Sequence, residues 1–415
     1  MPWTNRLRIT TLRERLRSAY EVGGGSSRII PMEGLRGLAV LLVFFVHFHA
    51  LFGLYLPHNT LFFHVSQFMG TVGNTGVDLF FIMSGYLIYG AVIRREIKFL
   101  KFVKRRVERI YPTFLTVLGL YLLLSVLFPL ENKIHGNVFA STLYIVENLL
   151  LLPGIFHITP IVTVAWSLSY EFAFYLTIPI LVVVTRMRRW NAFSRLIFFV
   201  CIWVFIALIS ASSTDDNRIR MISFLAGVVL YESVGLMKGR WVPSSRGELG
   251  ACILVLCCFV LYYVIHIGQP TMLSNSIISY FPLSVSFFFF ALYCFEFAGR
   301  LQSVFSWDPL RYLGNMSYSY YLIHGVTLEA MAYGLSLLHV SKSSPYVNLA
   351  VLVVGFSATW VTASTLFFSV EKKYSLKPIR GQGSTTEVAA LNPAARETAS
   401  PAVSVLVFGK NDPTA

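Results

Sequence analysis

Gly-Leu-Arg-Gly-Leu-Ala-Val-Leu-Leu-Val-Phe-Phe-Val-His-Phe-His-Ala-Leu-Phe-Gly-Leu-Tyr, residues 34–55, decides the fold class. The stretch is apolar almost throughout, and as a helix rising about 1.5 Å per residue it matches the thickness of a bilayer's hydrocarbon core, about 30 Å. Nine more runs of similar character follow, at 75–93, 110–129, 161–185, 195–212, 219–237, 249–267, 275–298, 317–338 and 347–370. Together they predict an all-α, polytopic membrane protein of about ten transmembrane helices. Composition agrees: 55% of the 415 residues are hydrophobic and 13% charged, whereas soluble domains carry about 25% charge. An eleventh apolar stretch, 139–152, is short and ends at Pro153, so it reads as interfacial or re-entrant.

The net charge of +14 gives the orientation. Placing the N-terminus in the cytoplasm puts 29 of the 34 Lys and Arg residues in cytoplasmic segments and four outside (Lys133, Arg218, Arg220, Lys342), with Arg36 inside the first span. That bias predicts both termini inside. The basic residues sit in short loops between apolar runs, not along a polar stripe, which excludes nucleic acid as a partner. Residues 1–28 form a basic cytoplasmic segment, 29–374 the membrane domain, and 375–415, rich in Ala, Thr and Pro, a tail expected to be disordered. The five cysteines lie within apolar runs without metal-ligand spacing, and no metal is expected.

Ionisable groups inside spans are costly, about 2.5–3.5 kcal/mol each on insertion scales, and so are functional candidates. Arg36 and His47 are eleven residues apart; at about 100° per residue they share one helix face, separated by a rise of about 16 Å. They either hold the two ends of a long substrate, or Arg36 snorkels to headgroups while His47 bonds a neighbouring helix. His49 faces the other way and reads as structural. Asp78 lies one turn into the second span, where it also suits a helix N-terminus, and Ser84 and Gly85 permit close helix packing. The loop from Arg94 to Arg109 has the apolar spacing of an interfacial helix, and its eight basic residues suit either anionic lipid or a polyanionic cofactor. Glu171 falls near mid-membrane and His324 in the inner third; an interhelical hydrogen bond is the ordinary alternative for each.

Five stretches in order, Gly34-Leu-Arg36-x10-His47, Gly76-Val-Asp78-Leu-Phe-Phe, Arg105-Arg106-Val-Glu-Arg109-Ile-Tyr111-Pro112, Trp166-Ser-Leu-x-x-Glu171 and Ser317-Tyr-x-x-Tyr-Leu-x-His324, resemble the acyltransferase-3 family of integral-membrane acyltransferases. The similarity covers about residues 29–374. Glu33 stands where family members usually have Asp, which keeps the carboxylate. The chain resembles the stand-alone members, without a C-terminal esterase-like domain.

The resemblance implies transfer of an acyl group, commonly acetyl, from cytoplasmic acyl-CoA to a hydroxyl of a cell-surface or lipid-linked carbohydrate such as a polysaccharide or lipopolysaccharide, at a bacterial inner membrane. On this reading Arg36, Arg105, Arg106 and Arg109 bind the cofactor's phosphates, with Tyr111 and His324 completing the donor site. His47 is the expected general base, its near-neutral pKa suiting proton removal from a hydroxyl, and Asp78 or Glu171 positions it or the acceptor. Direct transfer and a transient acyl-histidine stay open. The competing class is a proton-coupled solute transporter using the same buried groups, although no inverted repeat is visible.

Overall fold

Each predicted span contains a helix in the computed structural model, which describes residues 11–22, 29–127, 137–210, 219–240, 242–267, 274–340 and 344–376. The expected disordered tail, from residue 377 onward, lies outside the described residues. In chain order the α-helices are α1 (Leu12–Tyr20), α2 (Ile30–Leu51), α3 (Leu61–Gly73), α4 (Gly76–Arg94), α5 (Phe99–Leu127), α6 (Val138–Leu149), α7 (Trp166–Val184), α8 (Ala192–Ser210), α9 (Ile222–Met237), α10 (Ser245–Ile267), α11 (Ser274–Glu296), α12 (Arg300–Phe305), α13 (Asp308–Asn315), α14 (Ser317–Leu337) and α15 (Pro345–Leu366). The last continues as π-helical turns over Phe367–Ser375. No strand occurs among the described residues.

Among the described residues eight helical segments are long and apolar enough to cross a membrane, so the protein is a multi-pass membrane protein. Two of the ten predicted spans are not among those eight. Helix α9 has only 16 residues, and α14 is 21 residues long but carries serines, tyrosines, His324 and Glu329. Polarity along α14 fits a helix that builds a site. At 12 residues, α6 is too short to cross.

Two local readings change. Residues 56–74, between the first two predicted spans, contain α3, which packs on α2 and runs almost directly into α4. The expected interfacial helix and third span are one continuous helix, α5, which passes through Pro112. Pro112 has no N–H to donate to the carbonyl four residues back, so one ladder hydrogen bond is missing there; the Thr116 hydroxyl donates to the Pro112 carbonyl at 2.9 Å one turn further on.

Glycines set the closest approaches. A Cβ on Gly34 would overlap the Phe305 carbonyl, one on Gly314 the Glu33 carbonyl, so α12 and α13 press backbone-to-backbone against the start of α2. The same contact joins α4 to α9 through Gly85 and Gly227. Small residues drive helix association where lipid removes the hydrophobic force between helices. Arg311 of α13 then ties the entry of α2 in place: its guanidinium donates to Glu33 at 3.2 Å and also pairs with Asp308 and Glu21. The capped helix α1 docks on this assembly through Tyr20, whose ring stacks on Tyr312 and whose hydroxyl lies 2.7 Å from that of Ser364.

Candidate active site

Helix α2 supplies Arg36 near its start and His47 eleven residues on, and α14 runs alongside in the same direction. Near their first turns, Arg36, Ser317 and Tyr318 line one cavity of about 160 Å³. Further along, His47 meets His324, with ring centres 4.8 Å apart and planes at 70°. The predicted common face of Arg36 and His47 is therefore the face turned toward α14.

The cavity lining combines two kinds of side chain: Val77, Phe80, Phe81, Met83 and Leu87 of α4, and the cations Arg36, Arg106 and Arg109. Glu171 of α7 also lines it and is held firmly: the Ser84 hydroxyl donates to its Oε1 at 2.9 Å, and Tyr175, one turn on, donates to the same oxygen. The Arg106 guanidinium lies over the Tyr175 and Phe102 rings, 5.2 Å and 5.0 Å from their centres. Arg109 is 3.6 Å from Glu371, a buried carboxylate that also accepts from the backbone and hydroxyl of Ser319.

The cations outnumber their partners. Among the described residues Arg36 and Arg106 have no carboxylate within ion-pair distance, and the buried Arg106 Nε has no hydrogen-bond acceptor. Holding guanidinium groups half-buried without an ion-pair partner is unfavourable unless an anion completes the site. The forked guanidinium is suited to phosphate oxygens.

The six residues expected at the donor site divide evenly. Arg36, Arg106 and Arg109 come together around the cavity. Arg105 is not among its lining residues, because one position along α5 turns its side chain about 100° away. Tyr111 donates to the Leu149 carbonyl at 3.1 Å and packs against Phe114 and Phe172. His324 is buried beside His47, deeper than the cations.

Of the expected catalytic set, Glu171 lines the cavity and His47 pairs with His324, but Asp78 is committed elsewhere. Arg220 donates to Asp78 Oδ2 through Nη2 at 2.9 Å and Nε at 3.3 Å, and also to the Asn74 carbonyl; Ser223 donates to Oδ1 at 3.1 Å. The Arg220 guanidinium also lies over the rings of Trp166 and Tyr280, 5.2 Å and 5.5 Å from their centres. Asp78 thus joins α4 to α9, and Arg220, read from sequence as an outer-loop charge, is a buried partner. His49 bonds Ser66 of α3 at 2.9 Å, the expected structural role. Ser84 likewise does more than permit packing, since it fixes Glu171.

Ser84, Tyr175, Tyr318, Arg220 and Glu371 escaped the sequence reading. Tyr175 had a usable signal, its i+4 offset from Glu171. Arg220 had another, as a cation beside a span facing an otherwise unmatched aspartate.

A family model described as an acyltransferase domain matches residues 30–366. The chain belongs to the acyltransferase-3 family. Every cavity-lining residue falls within the match, while Glu371 lies beyond it. Among curated proteins the chain is similar to the peptidoglycan O-acetyltransferase OatA of Listeria monocytogenes, 24% identical over 392 residues, covering 86% of this chain and 57% of that protein. It is also similar to the putative peptidoglycan O-acetyltransferase YrhL of Bacillus subtilis, at 27% identity with 72% and 48% covered. The exopolysaccharide production protein ExoZ of Rhizobium meliloti is 28% identical, with 47% and 62% covered. The chain spans about half the length of the first two relatives. No solved structure matches this family member.

Proposed function

We propose that this protein is a membrane O-acyltransferase, moving an acyl group, in the first instance acetyl, from acyl-CoA on the cytoplasmic side to a hydroxyl of a cell-surface or lipid-linked carbohydrate. The observation that carries the reading is the cavity whose cations, Arg36 and Arg106, have no ion-pair partner among the described residues, with Arg36 on the same helix face as His47. Acyl-CoA has the complementary form: phosphates on a long flexible arm that ends in a thioester. The cavity is large enough for part of that molecule, so the phosphates would lie with Arg36, Arg106 and Arg109 and the nucleotide would extend into the cytoplasmic mouth. The carbohydrate acceptor and the acetyl group are supported by what the relatives are called, O-acetyltransferases of peptidoglycan and an exopolysaccharide production protein.

The chemistry needs one base. His47 takes the proton of the acceptor hydroxyl as its oxygen attacks the thioester carbonyl; the carbon–sulfur bond breaks, and the departing thiolate recovers the proton from His47. Glu171, fixed by Ser84 and Tyr175, is a rigid acceptor for a second hydroxyl of the sugar. Asp78 acts by holding α4 against α9, not at the reacting atoms.

The test is acetyl transfer by the purified protein in lipid nanodiscs, with labelled acetyl-CoA and candidate glycans, read as free CoA and acetylated product. Acceptor-dependent CoA release that disappears in His47→Ala is expected, and full transfer by a folded His47→Ala would overturn the assignment. A transporter would move label without releasing CoA. Mass spectrometry of surface glycans from deletion and complemented strains then identifies the acceptor and the acyl group.

A further inference from the structure

His324 is completely buried in α14, and its two ring nitrogens have different surroundings. Nδ1 lies 3.1 Å from the Tyr320 carbonyl, which can only accept, so Nδ1 carries the hydrogen. Nε2 is then a bare lone pair, and it is a buried atom with no hydrogen-bond partner among the described residues. Buried polar atoms are nearly always satisfied, and an exception calls for a reason. The neighbouring ring is His47, centred 4.8 Å away and nearly perpendicular. The His324 ring also makes a stacked contact with Tyr320 and a tilted one with Tyr321.

We propose that His324 is a positioning residue for His47: its bare Nε2, unpartnered in this structure, accepts the N–H of the neighbouring His47 ring when that ring turns toward it during the reaction, fixing the tautomer that leaves the other His47 nitrogen unprotonated toward the reacting hydroxyl. This rests on the acyltransferase reading above. A base whose tautomer is free to exchange presents the wrong nitrogen part of the time, and a fixed acceptor removes that loss. When His47 becomes charged in the reaction, the same acceptor stabilises the imidazolium. The role holds equally for a general base and for an acyl-histidine, since both require the bare nitrogen to face the substrate. It replaces the expectation that His324 touches the acyl donor.

The test uses full-length protein in nanodiscs, with kcat and donor KM measured for His324→Phe, which keeps an aromatic ring without an acceptor, and His324→Gln, whose side-chain carbonyl can accept from His47. His324→Phe is expected to lower kcat by about 10- to 100-fold while donor KM stays within about twofold. His324→Gln is expected to recover at least about a fifth of wild-type kcat. A folded His324→Phe with wild-type kcat overturns the proposal, as does a rise in donor KM without loss of kcat, which marks donor contact instead. His324→Gln is informative alone: if it is as inactive as His47→Ala, hydrogen-bond acceptance is not the function of this ring. If His47→Ala itself retains transfer, the acyltransferase reading fails; if His47→Ala is inactive and His324→Phe is normal, only the present proposal fails.

Discussion

Two charged clusters lie within this apolar molecule, and they are built in opposite ways. At the Asp78–Arg220 cluster the aspartate has two guanidinium contacts and a serine hydroxyl, and the cation lies over two aromatic rings. Around the cavity, Arg36 and Arg106 stand half-buried with no carboxylate in ion-pair distance among the described residues. The first cluster has compensated its own desolvation; the second is left to be completed by something that enters. Satisfaction of charge, more than its presence in a membrane span, separates a structural group from a functional one.

The sharpest way to break this contrast is to remove one charge from each cluster. Asp78→Ala leaves Arg220 buried and unpaired, a loss of about 3–5 kcal/mol, so the variant should melt far below wild type in detergent or fail to accumulate. Arg36→Ala removes a group without an ion-pair partner among the described residues and should change stability by under about 1 kcal/mol. Thermal unfolding of the two purified variants decides it; equal losses would mean that the clusters do not differ in kind.

A smaller effect is expected where α13 meets α2. Gly314→Ala forces its new methyl into the Glu33 carbonyl, an overpacking cost of about 1–3 kcal/mol, and displaces the segment that carries Arg36. Stability and donor KM should worsen together, unlike Arg36→Ala, where only KM moves. A wild-type KM with reduced stability would show that the cavity does not depend on this approach.

The smallest effect concerns α1. Glu21 is held below the ordinary carboxylate range by its hydrogen bond from Arg17, and Asp308 by its bond from Arg13. A lowered carboxylate contributes stability above its unfolded pKa of about 4, and that contribution is lost as pH falls through the lower folded value. Docking of α1 should therefore be constant from pH 6 to 8 and loosen only in acid, by no more than about 1 kcal/mol because these pairs are largely exposed. Amide exchange of residues 12–20 is the readout, and loosening between pH 6 and 8 would point to another titrating group.

How much of this was legible beforehand follows from what each feature depends on. Span positions depend on local apolarity, which the sequence carries directly, so ten helices lie where ten runs were read. The shared face of Arg36 and His47 follows from helix geometry alone, and the structure turns it toward α14. Pairing between distant helices has no such local signature. Arg220 is visible as a cation beside a span, but only the packing of α9 on α4 assigns it to Asp78, and nothing near Glu371 announces that it reaches Ser319 and Arg109. Arg105 and Arg106 are equivalent as composition, and only the rotation of α5 assigns one of them to the cavity.

The most direct test of the central claim, that the unpaired arginines complete themselves on the phosphates of an acyl donor, is calorimetric titration of acetyl-CoA into wild type and into Arg36→Ala/Arg106→Ala. Each charge-assisted contact contributes about 1.5–3 kcal/mol, and every 1.4 kcal/mol is about tenfold in affinity, so the double variant should bind at least about 100-fold more weakly with an unchanged melting temperature. Equal affinity in the two proteins would contradict the account.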